Sequence, residues 1–248
     1  WTIRSNVLLM GWEWRCFYRV ASATADDFVH EALRNSKLEQ RTDQYVAHSA
    51  AVGVKHRGGG SLEVKLRKKT DQDFEKWKKH RCNGVLTAVD QLLERTGHAA
   101  LPASSSSLQV AKCRRQAFVG GGALLEQTEL LVGAGVQASV WRTVAVEGKR
   151  ADAAQVRESI LPLCRAQAAE DSFSVQGYPA FVVRLVRDEA SRAGGERTGA
   201  LGTDDLGGPA FLDACPGSGV DPQMREPIAL PLGLASTSAA APSPSRRL

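Results

Sequence analysis

Between Val52 and Lys68 the chain alternates charged and apolar side chains on either side of a Gly58-Gly59-Gly60 run, and this pattern restricts the fold more than any other part of the sequence. Lys55 and Arg57 share one face of an extended segment. Glu63, Lys65 and Arg67 share one face of the next, with Leu62, Val64 and Leu66 opposite. Period two of this kind makes half-buried strands, and the glycines supply whatever positive φ a turn between them needs. Register follows from the faces. A three-residue loop sets Arg57 against Ser61 and Lys55 against Glu63, whereas a four-residue loop would set Arg57 against Leu62 and mix charged with apolar. The three-residue loop is therefore expected, giving a sheet face crowded with Lys55, Arg57, Glu63, Lys65 and Arg67.

The same alternation runs from Val7 to Val20, with Trp12, Trp14, Cys16, Tyr18 and Val20 on one side and Gly11, Glu13, Arg15, Phe17 and Arg19 on the other. Further strands are expected at Leu38–Ala47, Leu108–Val119, Leu124–Val132 and Val136–Val146. Thr24, Asp26 and Asp27 suit the start of a short helix whose apolar stripe is Phe28, Val29, Ala32 and Leu33. Phe74 and Trp77, three apart among lysines, predict an amphipathic helix over about 71–80. Other helices are expected at about Gly84–Arg95 and from Asp152, and Ala99–Ser107 reads as a loop. Tyr178-Pro179 reads as a rigid turn into a buried strand ending at Val186. Together these elements give an α+β fold, an antiparallel curled sheet or open β-barrel with peripheral helices.

Composition sets the limits of that domain. Of the 61 residues from Asp188 to Leu248, 16 are Gly or Pro and Phe211 is the only aromatic, so residues 188–248 are expected to form a disordered tail behind a folded domain of residues 1–187. The folded part carries 27 Lys and Arg against 19 Asp and Glu, a balance that favours an anionic partner such as a phosphate compound or a nucleic acid. Five scattered cysteines without a C-x-x-C pair argue for a reduced compartment and no structural zinc. No apolar run is long enough for a membrane span, so a cytoplasmic protein is expected; the chain begins at Trp1, and an organelle-targeting segment could precede it. The run Gly133-Ala134-Gly135 imitates a dinucleotide fingerprint, but the strand-like Ser139–Glu147 follows it where a helix is required.

Glu13 and Arg15 repeat the acid-then-base order on the first strand, and Lys112, Arg114 and Arg115 repeat the basic part later. Gly11-Trp12-Glu13-Trp14-Arg15, Thr42-Asp43-Gln44-Tyr45, Val54-Lys55-His56-Arg57 and Leu62-Glu63-Val64-Lys65-Leu66-Arg67 follow in an order that resembles the CYTH superfamily, the triphosphate tunnel metalloenzymes. Thiamine triphosphatases, inorganic triphosphatases and class IV adenylate cyclases belong to it. The resemblance covers roughly residues 10–186 and includes Trp141–Gly148 and Gly177–Val182. It implies a basic tunnel that binds a triphosphate or organic polyphosphate and hydrolyses it with Mg²⁺ or Mn²⁺. Arg15, Lys55, Arg57, Lys65, Arg67, Lys112 and Arg114 would grip phosphate oxygens, and Glu13, Glu63 and Glu147 would face the metal. The family's opening strand reads E-x-E-x-K. Gly11 stands where its first Glu is expected and Arg15 where its Lys is expected, so one metal carboxylate is absent. The alternative is a non-catalytic phosphoanion- or RNA-binding module on the same fold, and a third reading is an interaction protein that recruits partners through its basic surface and tail.

Overall fold

The computed structural model describes residues 11–21, 29, 33–57, 61–82, 86–102, 105–133 and 138–195. Nine strands form one antiparallel sheet: β1 (Trp12–Tyr18), β2 (Glu39–Ser49), β3 (Val52–Arg57), β4 (Ser61–Asp71), β5 (Phe74–Cys82), β6 (Ser107–Val119), β7 (Ala123–Val132), β8 (Ser139–Gly148) and β9 (Ser174–Val175). Their order is β5-β4-β3-β2-β6-β7-β8-β1-β9, and β1 also pairs with β5. The first eight therefore close into a barrel. Among the described residues the closing seam opposes Trp12 to Lys76 and Glu13 to Glu75. Beyond it β9 takes the same edge of β1, at Cys16 and Phe17.

Every strand expected from the sequence at residues 38–68 and 108–146 is present, within a few residues at its ends. In the β3–β4 hairpin Arg57 opposes Ser61 and Lys55 opposes Glu63, the register of a three-residue loop, while Gly58–Gly60 lie outside the described residues. The helix expected at Gly84–Arg95 is α1 (Leu86–Arg95), and the one starting near Asp152 is α2 (Arg150–Gln167). Of the helix expected after Thr24, only Val29 and Leu33 are described, both helical and buried.

Two expectations are corrected. The segment expected as a helix over about 71–80 is β5. A strand places residues three apart on opposite faces, and Phe74 enters the core beneath α2 while Trp77 faces the barrel interior beside Lys65. The buried strand expected after Tyr178-Pro179 is a helix, α3 (Tyr178–Gly195). Pro179 sits in its first turn, where a missing N–H costs nothing, and Phe181, Val182 and Leu185 form a helical stripe that is buried.

Three apolar clusters hold the layers together. α2 packs Ala153, Val156, Ile160 and Cys164 on Trp14, Cys16, Tyr18, Val144 and Val146, outside the barrel. α1 sets Val89, Leu92 and Leu93 on the outer face of β3 and β4, namely Val52, Val54, Leu62, Val64 and Leu66. The third cluster lies within one end of the barrel, where Phe181, Val182 and Leu185 of α3 meet Phe17, Tyr45, Leu108, Val110, Leu130 and Trp141. Phe17 and Phe181 stack at 3.8 Å between centroids. The helix thus plugs that end.

Candidate functional site

Alternation decides which side chains enter the barrel. On β1 these are Glu13, Arg15 and Phe17; on β2, Glu39, Arg41, Asp43 and Tyr45; on β3, Lys55 and Arg57; on β4, Glu63, Lys65 and Arg67. The remaining strands add Glu75, Trp77 and Lys79 from β5, Lys112 and Arg114 from β6, Glu126 and Thr128 from β7, and Thr143 and Glu147 from β8. All ten residues singled out in the sequence lie on this inward face. Arg115 does not: it points outward and donates to the carbonyls of Arg34 and Ser36.

Two ion-pair groups fill the middle of the barrel. In the first, the Glu13 carboxylate accepts from Arg15 Nε at 2.9 Å and from Lys65 Nζ at 2.5 Å. Arg15 also donates to Glu126 at 2.9 Å and to Thr143 at 3.2 Å. Burial pushes the Glu13 carboxyl up, but Lys65 and Arg15 overcome this and hold it far below the usual carboxylate range. In the second, Asp43 lies 3.1 Å from Lys112, 3.5 Å from Lys55 and 3.1 Å from Arg41. Lys112 also donates to the Tyr45 hydroxyl and sits 4.2 Å from the centre of the Tyr178 ring at the start of α3. Burial depresses the Lys112 ammonium well below the ordinary lysine value, and Lys55 adds to the effect. Lys55 is lowered mainly by burial too.

The two ends of the interior differ. Side-chain exposure is 38% for Glu39 and 34% for Arg57, against 5% for Glu13 and 0% for Asp43. Water therefore reaches Glu39, Arg57, Lys79 and Glu147, while the opposite end is closed by Tyr178 and Phe181. Glu39 links Arg41, Arg57 and Arg114 at the open end.

Gly11 stands where the resemblance implies a carboxylate. A Cβ there would lie 3.0 Å from Glu147 Cγ, so the Glu147 side chain fills the space next to that position. Glu147 opposes Glu13 across the β1–β8 register and pairs with Lys79 at 3.6 Å. Among the described residues, no three His, Cys, Asp or Glu side chains are grouped to hold a metal ion, and both Glu13 oxygens are engaged by cations. The donors as arranged do not make a preassembled metal site. Among the described residues, three donors inside the barrel have no acceptor: Trp77 Nε1, Arg114 Nε and the Tyr178 hydroxyl are buried without a hydrogen-bond partner.

Reading the sequence alone missed Asp43, Tyr45, Glu126, Glu39, Arg41, Trp77, Lys79 and Tyr178 as site residues. Arg41, Asp43 and Tyr45 alternate visibly. Trp77 and Lys79 were hidden by the helical reading of β5, and Tyr178 by the turn reading of α3.

No family model and no curated protein matches this chain. Among solved structures, it is similar to a protein of Hippeastrum proposed as an adenylyl cyclase and described as having a dominant triphosphatase activity, with 14% identity and a TM-score of 0.46 over 71% of this chain and 96% of that one. A Bacillus halodurans protein proposed as an adenylate cyclase is similar at 11% identity and a TM-score of 0.39, over 64% of this chain and 92% of that one. The function is argued below from the geometry of the barrel itself.

Proposed function

We propose that the barrel interior binds a triphosphate or related organic polyphosphate, taken in at the open end. The observation that supports this is a surplus of positive charge and hydrogen-bond donors. The inward cations Arg15, Arg41, Lys55, Arg57, Lys65, Arg67, Lys79, Lys112 and Arg114 outnumber the inward carboxylates, and Trp77 Nε1 and Arg114 Nε are buried without acceptors. A buried donor without a partner is costly, and a phosphate chain offers acceptors and negative charge with few donors of its own. Arginines at this face bind phosphate oxygens in pairs of parallel hydrogen bonds, and the lysines act as point charges.

Membership of the CYTH superfamily and metal-dependent hydrolysis are the finer parts of the reading. Hydrolysis requires Mg²⁺ or Mn²⁺ to come to Glu13, Glu63 and Glu147, and Glu13 is already occupied by Arg15 and Lys65. That occupancy favours the non-catalytic phosphoanion-binding reading as the second form of the same proposal.

Calorimetry and thermal unfolding with tripolyphosphate, in EDTA and in Mg²⁺ or Mn²⁺, together with phosphate release, separate the two. Both forms expect stabilisation of about 2.7 kcal/mol at a hundredfold excess over Kd. Both also expect Lys65→Ala to weaken binding roughly ten- to a hundredfold, through loss of a charge-assisted contact. Only the enzyme releases phosphate with metal and loses that activity in Glu13→Gln. If tripolyphosphate neither stabilises the protein nor is hydrolysed under any of these conditions, the proposal fails in both forms.

A further inference from the structure

The outer face of the β4–β5 hairpin carries a different set of cations. Lys69 and Lys76 are directly opposed across the two strands, Lys78 lies one strand repeat further along β5, and Lys68 sits in the bulge where the register shifts. Lys68 and Lys69 are exposed, and Lys76 and Lys78 are half-buried. None of the four forms an ion pair among the described residues, which sets them apart from the lysines inside the barrel. The acids at this end of the hairpin are already taken: Asp71 pairs with Arg150 at 2.9 Å, Asp73 pairs with Arg157 and accepts from Trp14 Nε1 at 3.1 Å, and Glu75 pairs with Arg67 at 2.8 Å. Opposed like charges on a sheet destabilise it, so this face is held together at a cost that a polyanion would relieve.

Two neighbours point to the kind of polyanion. The half-buried Trp12 indole lies opposite Lys76 on β1, with Lys76 Nζ 5.9 Å from a ring centre. Two residues beyond Lys78 on the same face of β5 is His80, opposite Val64, 5% exposed and with neither ring nitrogen hydrogen-bonded. Lysines on alternate strand positions are spaced roughly 6.8 Å apart, close to the separation of phosphates in an extended single strand. Aromatic rings set among cations are the usual means of holding unpaired bases. A lipid surface is a poorer fit, because the exposed large apolar residues, Leu86, Phe118 and Val140, all lie off this hairpin. We propose that the outer face of β4 and β5, with Lys68, Lys69, Lys76, Lys78 and Trp12, binds single-stranded nucleic acid, at a site separate from the barrel interior.

The test uses the full chain and a labelled oligo(dT) of about 20 nucleotides with a 5′-hydroxyl, longer than the roughly 4–16 nucleotides a small domain covers. Fluorescence anisotropy across a salt series should give a log–log slope of about −2.8 for four neutralised phosphates. Lys68→Gln/Lys69→Gln changes two exposed side chains, and circular dichroism checks that the barrel is retained. This variant should weaken binding at least tenfold at low salt and reduce the slope by about 1.4. Lys149→Gln, at an exposed position before α2, should change neither. Saturating tripolyphosphate should leave the oligonucleotide bound, and Lys65→Ala should bind it normally. The proposal is overturned by unchanged affinity and slope in the double variant, by an equal loss in Lys149→Gln, or by displacement with tripolyphosphate, which would place the oligonucleotide inside the barrel. Failure of this test leaves the tripolyphosphate measurements of the interior unaffected.

Discussion

Asp43 has no solvent exposure and three cations against it. Burial raises its carboxyl, and Lys112, Lys55 and Arg41 more than offset this, leaving it at about 2. Its effect is to hold two lysines and an arginine within reach of one another in a dry place. Asp43→Asn would leave those cations without their counter-charge, and a loss of about 3–5 kcal/mol in urea unfolding at pH 7 is expected; tripolyphosphate should restore part of it. Glu126, raised by burial but pulled down by Arg15 and Arg114, is also held at about 2. Both carboxyls are depressed relative to an unfolded chain, so the unfolded state binds more protons between the ordinary carboxylate range and pH 2. Stability should be complete above about pH 5 and fall as pH drops toward 2, by on the order of 2–3 kcal/mol for each group. Unfolding midpoints measured across that range check it. The lowered lysines act in the opposite direction. Lys55 and Lys112 penalise the folded state while the unfolded lysines remain charged, and the penalty is relieved as pH rises toward the unfolded lysine value. An anion bound beside Lys112 and Lys55 favours their ammonium forms, so tripolyphosphate binding should take up protons in alkaline buffer, measurable by calorimetry in buffers of different ionisation enthalpy.

Among the elements, α3 owes its place to one small residue. The chain leaves β9 beside β1, and Gly177 then crosses the wall next to β5, where a Cβ would overlap the Glu75 carboxylate and lie 2.8 Å from Trp77. Gly177→Ala should therefore lower stability by about 1–3 kcal/mol in thermal unfolding, although the substitution is exposed to no ligand. An unchanged transition would mean that α3 does not need this crossing. The helix was illegible in the sequence because Tyr178–Val186 is apolar on too many positions for either period to stand out, and its stripe is defined by what it plugs. The β5 strand was illegible for the opposite reason. Its period of three between Phe74 and Trp77 mimics a helix, and only a closed barrel gives both faces of a strand something apolar to meet. The β3–β4 hairpin was legible down to its register, since charge and apolarity there separate cleanly between two faces.

At the scale of the molecule, the inward direction of the charged faces could be inferred, but the partners of each charge could not. Glu13 meets Lys65 across the seam and Arg15 meets Glu126 two strands away, contacts created by closure and invisible to any local pattern. Glu126 was hidden further by the polar run Gln127-Thr128-Glu129 that follows it and breaks the alternation. The extent of the folded unit is testable directly. α3 continues to Gly195, past the boundary expected at Arg187, yet its buried residues Phe181, Val182 and Leu185 all precede that point and Asp188–Ser191 are exposed. A chain ending at Arg187 should unfold within about 0.5 kcal/mol of the full chain; a larger loss would mean that later residues pack on the barrel. The seam has a further consequence. β1 is made before the other described strands, but its long partner, β8, is made more than a hundred residues later, and its pairing with β5 spans two of the described residues. Until β8 emerges, Trp12, Trp14 and Phe17 have little to bury against, which leaves the nascent chain with a sticky, half-paired strand and a slow, late closing step. Synthesis rate and chaperone supply, rather than the stability of the finished barrel, would then set how much of this protein a cell obtains.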